Sequence, residues 1–270
     1  EDKQNINIIL IGSSAVGKTC LLKRYLENSF SNKTISTTGT EPIRKKFQRN
    51  GVTINLKLID TSGQPVYQYR ELTLQDIPKS DCVLCLYDCM DLESFRYIQG
   101  IISEYCSDRR KNSDRLSRMK SNEKEDTSNS RIQLRQSSNS KLSNQSNSQL
   151  LNFERRLIQE KFVVVETKVD LKELAKAESA LEKVSLDRIN EDEEGNYLPK
   201  KASLSLIDVQ KYCEEYDLRK FEISSKTGEG VGSLLDKVIG RVLEKRVNNS
   251  VKILKVDESC LCCKKKGCVS

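Results

Sequence analysis

The run Ile6-Asn7-Ile8-Ile9-Leu10-Ile11-Gly12-Ser13-Ser14-Ala15-Val16-Gly17-Lys18-Thr19 restricts what this chain can fold into more than any other stretch. Its first six residues are largely β-branched and apolar, as suits a strand buried on both faces of a parallel sheet. The strand leads into Gly12-x-x-x-x-Gly17-Lys18-Thr19, and Cys20 to Asn28 then sets Leu21, Leu22, Tyr25 and Leu26 at helical spacing. Strand, glycine loop and helix in that order build an anion nest. The glycines let backbone amides turn inward, the helix start adds its dipole, Lys18 neutralises phosphate oxygens and the Thr19 hydroxyl suits a magnesium ion. Gly12, Ser14, Ala15, Val16, Gly17, Lys18, Thr19 and Cys20 are therefore expected to hold the phosphates of a nucleotide.

The rest of the chain repeats this alternation. Ile43 to Asp60 reads as a hairpin with an Asn50-Gly51 turn and period-two apolar residues from Val52 to Ile59. Cys82–Tyr87 and Phe162–Val165 are further buried strands, and Arg219 to Ile223 reads as a short last one. Helical periodicity covers Leu92 to Tyr105, Leu204 to Tyr216 and Val231 to Glu244. The pattern predicts an α/β fold of three layers, the P-loop NTPase architecture. Its sheet has about six strands and is mostly parallel with one antiparallel member, and helices cover both faces.

Two segments break the rhythm. Residues 107–150 hold twelve Ser, six Asn and four Gln and no aromatic residue, a composition that predicts a disordered insertion. Residues 171–203 form a charged insertion that includes the acidic run Glu191-Asp192-Glu193-Glu194. The net charge of +7 follows these departures: residues 107–150 carry ten Lys/Arg against five Asp/Glu, residues 246–270 six against two, and the remainder sums to −2. A body without a basic excess argues against nucleic acid as the partner. Asp60 to Thr167 spans 107 residues, of which the atypical stretch 107–150 supplies 44. The expected organisation is one domain over residues 1–246, interrupted about 107–150 and about 171–203, followed by a flexible basic tail over 247–270.

The nucleotide base is read from Thr167-Lys168-Val169-Asp170, directly after a predicted strand. A carboxylate there can accept from both N1–H and the 2-amino group of guanine, a donor pair adenine lacks. Asp170 therefore disfavours an ATP-using enzyme.

With these motifs the chain resembles a small GTPase of the Ras superfamily, and is most similar to the Rab branch. The resemblance covers residues 5–106, 160–170 and 204–246. Phe30 stands eleven residues after Thr19, where the family places an aromatic against the guanine edge, and Thr37 seven further on matches the switch I threonine, a second magnesium ligand. Asp60-Thr61-Ser62-Gly63-Gln64 is similar to the family's DxxGQ motif. The resemblance implies that Asp60 holds a magnesium water, that the Gly63 amide senses the γ-phosphate, and that Gln64 is the catalytic residue orienting the attacking water. Glu222-Ile223-Ser224-Ser225-Lys226 resembles the base-contacting ETSAK motif, with Ser224, Ser225 and Lys226 joining Thr167, Lys168 and Asp170 at the base. Implied in turn are GTP/GDP and Mg²⁺ as cofactors and slow hydrolysis without an activating protein. The implied partners are an exchange factor, a GTPase-activating protein and effectors. The chain itself is expected to be monomeric. Three positions depart from the Rab pattern: Pro42 in switch I, Ile59 in place of a tryptophan, and Pro65 after Gln64.

Ten cysteines without a histidine exclude His-containing zinc sites. Cys20, Cys82, Cys85, Cys89, Cys106 and Cys213 lie mostly in apolar stretches and read as reduced, buried thiols. Cys262, Cys263 and Cys268 flank three lysines in the tail, a pairing of lipid attachment sites with a polybasic patch that suits peripheral membrane anchoring. Cys268 is third from the end, so a CaaX signal is not met. Neither a signal peptide nor a membrane span is evident, and the expected location is cytoplasmic, on a membrane surface. Two functions fit: a GTP-hydrolysing switch in membrane traffic or recruitment, or a scaffold subunit that holds guanine nucleotide permanently.

Overall fold

The computed structural model describes residues 3–32, 37, 40–63, 73–125, 141–172, 174–175 and 209–264. Among these residues, six strands form one sheet in the order β2-β3-β1-β4-β5-β6. They are β1 (Lys3–Ile11), β2 (Thr40–Arg49), β3 (Val52–Thr61), β4 (Cys82–Asp88), β5 (Phe162–Thr167) and β6 (Lys220–Glu222). All neighbours pair in parallel except β2 with β3. The predicted architecture is therefore the observed one.

The hairpin register is fixed by its turn. Asn50 and Gly51 both have positive φ, 51° and 77°, as a two-residue turn matched to strand twist requires. Pro42 lies within β2, which is compatible with its missing N–H because β2 is an edge strand.

Alternation along the central strands feeds two cores. Ile6, Ile8 and Leu10 of β1 face α1 (Lys18–Glu27) and the last helix, where Leu234, Val238 and Ile239 complete one apolar layer. Ile9 and Ile11 point the other way, toward α2 (Leu92–Glu125), α3 (Lys141–Lys161) and α4 (209–215). There Phe95 stands edge-on between Tyr87 and Tyr212, with ring centroids 5.2 and 5.6 Å away. Cys82, Cys85, Cys89, Cys106 and Cys213 are buried free thiols, as expected, and burial raises the pKa of each. Cys20 is free and only half-buried.

Three boundaries differ from those expected. The segment 107–150 is not uniformly irregular: α2 continues through Glu125 and α3 begins at Lys141, so only residues 126–140 of it lie outside the described residues. Composition argued against a packed core, but a helix extended from an anchored base needs no core of its own. Residues Phe95 to Cys106 supply that base, and side-chain contacts continue it. Ser107 Oγ donates to the Ser103 carbonyl, Lys111 lies 3.7 Å from Asp108, and Arg110 pairs with Glu154 of α3.

The last helix, α5 (Val231–Lys264), likewise runs through the boundary expected at residue 246 and through most of the segment expected to be flexible. Its start is held by the core, and Arg241 and Lys245 on it donate to the last carbonyls of α3, at Gln159 and Glu160. Of the charged insertion expected at 171–203, residues 173 and 176–203 lie outside the described residues, as do 204–208 of the helix expected from Leu204; a helical turn begins at 170, and α4 covers 209–215. Among the described residues no helix is long and apolar enough to cross a membrane.

Candidate nucleotide site

The loops that leave the C-terminal ends of β1, β5 and β6 converge on one cavity of about 460 Å³, the position where parallel α/β sheets bind ligands. Its floor is the glycine loop. Ala15 (φ 62°) and Gly17 (φ 95°) take positive φ, alternating with Val16, which does not, a pattern that turns successive amides to one side. A Cβ built on Gly17 would meet nothing within 4 Å, so that side of the loop is open. The helix starts at Lys18 without a side-chain cap, and its first backbone bond is Leu21 N–H to the Gly17 carbonyl at 2.8 Å. The earlier amides of α1 thus have no partner within the helix.

Lys18 is 6% exposed. Its Nζ donates to the carbonyls of Gly12 at 2.9 Å and Ser13 at 2.8 Å. Burial lowers its pKa to about 8, only partly opposed by the Asp60 carboxylate. A buried ammonium held at the mouth of an amide nest is a charge prepared for an anion.

Beside it three oxygens meet. Thr19 Oγ1 donates to Asp60 Oδ2 at 2.6 Å, lies 3.1 Å from Thr37 Oγ1, and Thr37 Oγ1 is 3.4 Å from the same carboxylate oxygen. Two hydroxyls and a carboxylate in contact are the hard-oxygen donor set magnesium takes alongside phosphates and water, so the residues present fit that ion. Gly63 closes in from β3: a Cβ there would lie 2.4 Å from the Ser13 carbonyl oxygen and 2.5 Å from Lys18 Nζ. Gln64 lies outside the described residues.

The far end of the cavity carries Thr167, Lys168, Asp170, Ser225 and Lys226, with Phe30 on its rim. Thr167 Oγ1 sits 2.8 Å from the carbonyls of both Val16 and Tyr87, joining β5 to the phosphate loop. Lys168, at φ 59°, pairs with Asp88 at 2.7 Å. Ser224 is fully buried behind the wall, and its hydroxyl donates to Asp170 Oδ1 at 2.6 Å. Of the residues expected at the nucleotide, Gly12, Asp60 and Ser224 do not line the cavity but hydrogen-bond to Lys18, Thr19 and Asp170, which do. Cys262 and Cys263 fall within the α5 backbone with side chains outside the described residues, and Cys268 lies outside altogether.

Sequence reading missed Arg24. From α1 its Nε donates to the Ser225 carbonyl at 2.8 Å and its Nη2 to the Lys226 carbonyl at 2.7 Å. Its partners lie more than 200 positions away, and an arginine on a helix near a glycine loop carries no pattern of its own.

The family model for Ras matches residues 7–154, more than half of the chain. The chain belongs to the Ras family. Over 97 residues, 36% of this chain, it is 34% identical to Ras-related protein RABD1 of Arabidopsis thaliana, covering 46% of that protein. Equal stretches give 36% identity to Ras-related protein Rab-1D of Dictyostelium discoideum and 35% to GTP-binding protein YPT1 of Saccharomyces cerevisiae, covering 47% and 46% of those chains. The chain thus spans about half the length of the curated relatives it matches. Ras-family proteins are GTP-binding switches.

Proposed function

We propose that this Ras-family chain is a GTP-hydrolysing switch of Rab type acting in membrane traffic or recruitment. The observation that carries the proposal is one cavity that joins the Lys18 nest at one end to Asp170, backed by Ser224, at the other. A nucleotide with several phosphates and a guanine base matches both ends at once.

Asp170 would accept from N1–H and the 2-amino group of guanine, held in place by the Ser224 hydroxyl. The Ser225 amide and Lys226 would flank the base, and Phe30 would cover its edge. Lys18 and the amides of residues 15–20 would bear the phosphate charge. Magnesium, when bound by Thr19 and Thr37 with Asp60 on its water, would supply further neutralisation of the β- and γ-phosphates. Gln64 would orient the attacking water, since phosphoryl transfer asks for positioning and electrostatics with little covalent chemistry. Gly63 touches Ser13 and Lys18 closely enough that any change at the phosphate end is felt in the segment that follows it.

On this reading the chain has one nucleotide-binding domain built on the six-stranded sheet. Turnover is slow alone and is raised by an activating protein, and an exchange factor and effectors complete the cycle. The relatives named for Rab proteins and the tail cysteines Cys262, Cys263 and Cys268 beside Lys264, Lys265 and Lys266 support a peripheral membrane location through lipid attachment.

The test is to purify the protein, identify the nucleotide it retains, and follow γ-phosphate release for the wild type and Gln64→Leu. The proposal expects guanine nucleotide and measurable release that falls at least tenfold in the variant. Retained adenine nucleotide would overturn it, and equal, negligible release in both proteins would assign the chain to a scaffold with permanently held nucleotide.

A further inference from the structure

Glu166 is fully buried at the end of β5, immediately before the residues that recognise the base. The third and fourth residues of that strand are valines, so a carboxylate here interrupts an apolar run. Two lysines compensate it. Lys172 Nζ lies 2.5 Å from Oε1 and Lys220 Nζ 2.6 Å from Oε2, and each lysine is about one-fifth exposed. Burial by itself raises the carboxyl pKa, but the two ammonium groups outweigh it and hold the group below the ordinary range for glutamate.

The two lysines come from the two segments that hold the base. Lys172 follows Asp170 by two residues. Backbone bonds from Leu171 N–H to the Lys168 carbonyl (2.9 Å) and from Lys172 N–H to the Val169 carbonyl (3.0 Å) fold this segment into a turn. The ion pair then ties the turn's last residue back to the strand before it, so Glu166 and Lys172 close a ring with Asp170 at its crest. Lys220 opens β6, which leads to Ser224, Ser225 and Lys226. The Ile223 N–H donates to the Glu166 carbonyl at 2.8 Å, and Val169 N–H to the Ile223 carbonyl at 3.3 Å. Ser224 then reaches Asp170 across the gap.

We propose that Glu166 is a positioning residue for base recognition, its carboxylate closing with Lys172 the ring that holds the Asp170 turn, while Lys220 balances the remaining charge. The inference rests on the guanine reading of the cavity. Its role differs from general stabilisation because its effect falls on one end of the ligand. A loosened Asp170 loses its hold on the 2-amino group, whereas the Lys18 nest is on the opposite side of the cavity and does not depend on Glu166.

Inosine diphosphate, which lacks the 2-amino group, separates the two ends. The wild type is expected to bind GDP on the order of 100-fold more tightly than inosine diphosphate, the usual strength of a hydrogen bond to a charged group. In Glu166→Gln that ratio is expected to fall below about tenfold while affinity for inosine diphosphate stays within about threefold. Lys172→Met, which opens the ring and leaves Lys220 on Glu166, is expected to do the same and serves if the glutamine variant does not fold. Lys220→Met keeps the ring and is expected to hold the ratio within about threefold of the wild type. A full wild-type ratio in folded Glu166→Gln or Lys172→Met overturns the positioning role, even if thermal stability falls. A wild type that does not distinguish the two nucleotides overturns the guanine reading itself, and the positioning role with it.

Discussion

Arg24 on α1 hydrogen-bonds the carbonyl of Ser225 at 2.8 Å, tying the helix that begins at the phosphate loop to the loop that borders the base. A second bond to Lys226 at 2.7 Å and a third to the Asn28 carbonyl at 2.9 Å use the rest of the guanidinium. An arginine presents several donors in a fixed fork, and a single ammonium cannot replace them all. Arg24→Met keeps the apolar stem beneath Gly228 and removes every donor. GDP release, followed by the loss of a fluorescent GDP analogue, is expected to quicken about tenfold, the effect of losing one to two net hydrogen bonds. Arg24→Lys should recover only part of it.

Lys18 gives a pH signature with a definite sign. Its folded pKa of about 8 lies below the ordinary 10.5 because burial penalises the ammonium. Below pH 8 both folded and unfolded chains hold the proton, and the full penalty, about 3 kcal/mol, is present. Between pH 8 and 10.5 the unfolded chain binds more protons at this group, so its contribution to the stability of the nucleotide-free protein rises with pH. Comparing thermal melts of the nucleotide-free wild type and Lys18→Met across that window isolates the effect. The variant should be the more stable of the two at pH 7, with the gap closing toward pH 10, and should bind GDP at least 100-fold more weakly.

Gly63 has no room for a side chain, since an added Cβ would meet backbone atoms of Ser13 at 2.4 Å. Backbone on both sides cannot yield cheaply. Gly63→Ala should push the start of the following segment away from Lys18. GDP affinity is expected to change less than about threefold, while γ-phosphate release falls at least tenfold. Limited proteolysis of the GDP-bound and GTP-analogue-bound forms should lose its dependence on the nucleotide.

Asp170→Asn should change the base that is bound. The Ser224 hydroxyl donates to Asp170 Oδ1 and would keep the amide oxygen facing it, leaving the amide N–H₂ to face the base. A donor there clashes with the guanine 2-amino group and suits the 2-oxo group of xanthine. Competition binding is expected to show GDP affinity reduced at least 100-fold and xanthosine diphosphate affinity increased.

Much of the fold and the cavity is legible locally. The strand from Ile6 to Ile11, the Gly12–Thr19 loop, the Asn50-Gly51 turn and the Thr167–Asp170 segment each encode their conformation within a few residues. Side chains alternating across the central strands fix two apolar faces, and both must be covered by helices. Composition misled where an element borrows its support from elsewhere. The serine-rich stretch after Cys106 is helical through Glu125 because Phe95 to Cys106 anchor it, and α5 passes residue 246 because its core-facing turns precede it.

By itself, then, the sequence determined the motifs, their order and the faces of the strands, because backbone preference and apolar periodicity act over a handful of residues. Only the tertiary structure decided what holds those motifs against one another. Arg24 meets Ser225, Thr167 bridges Val16 and Tyr87, and Glu166 gathers Lys172 and Lys220. Most of these contacts join residues dozens to hundreds of positions apart. A charged side chain shows its partner only when folding removes the water that would otherwise solvate it.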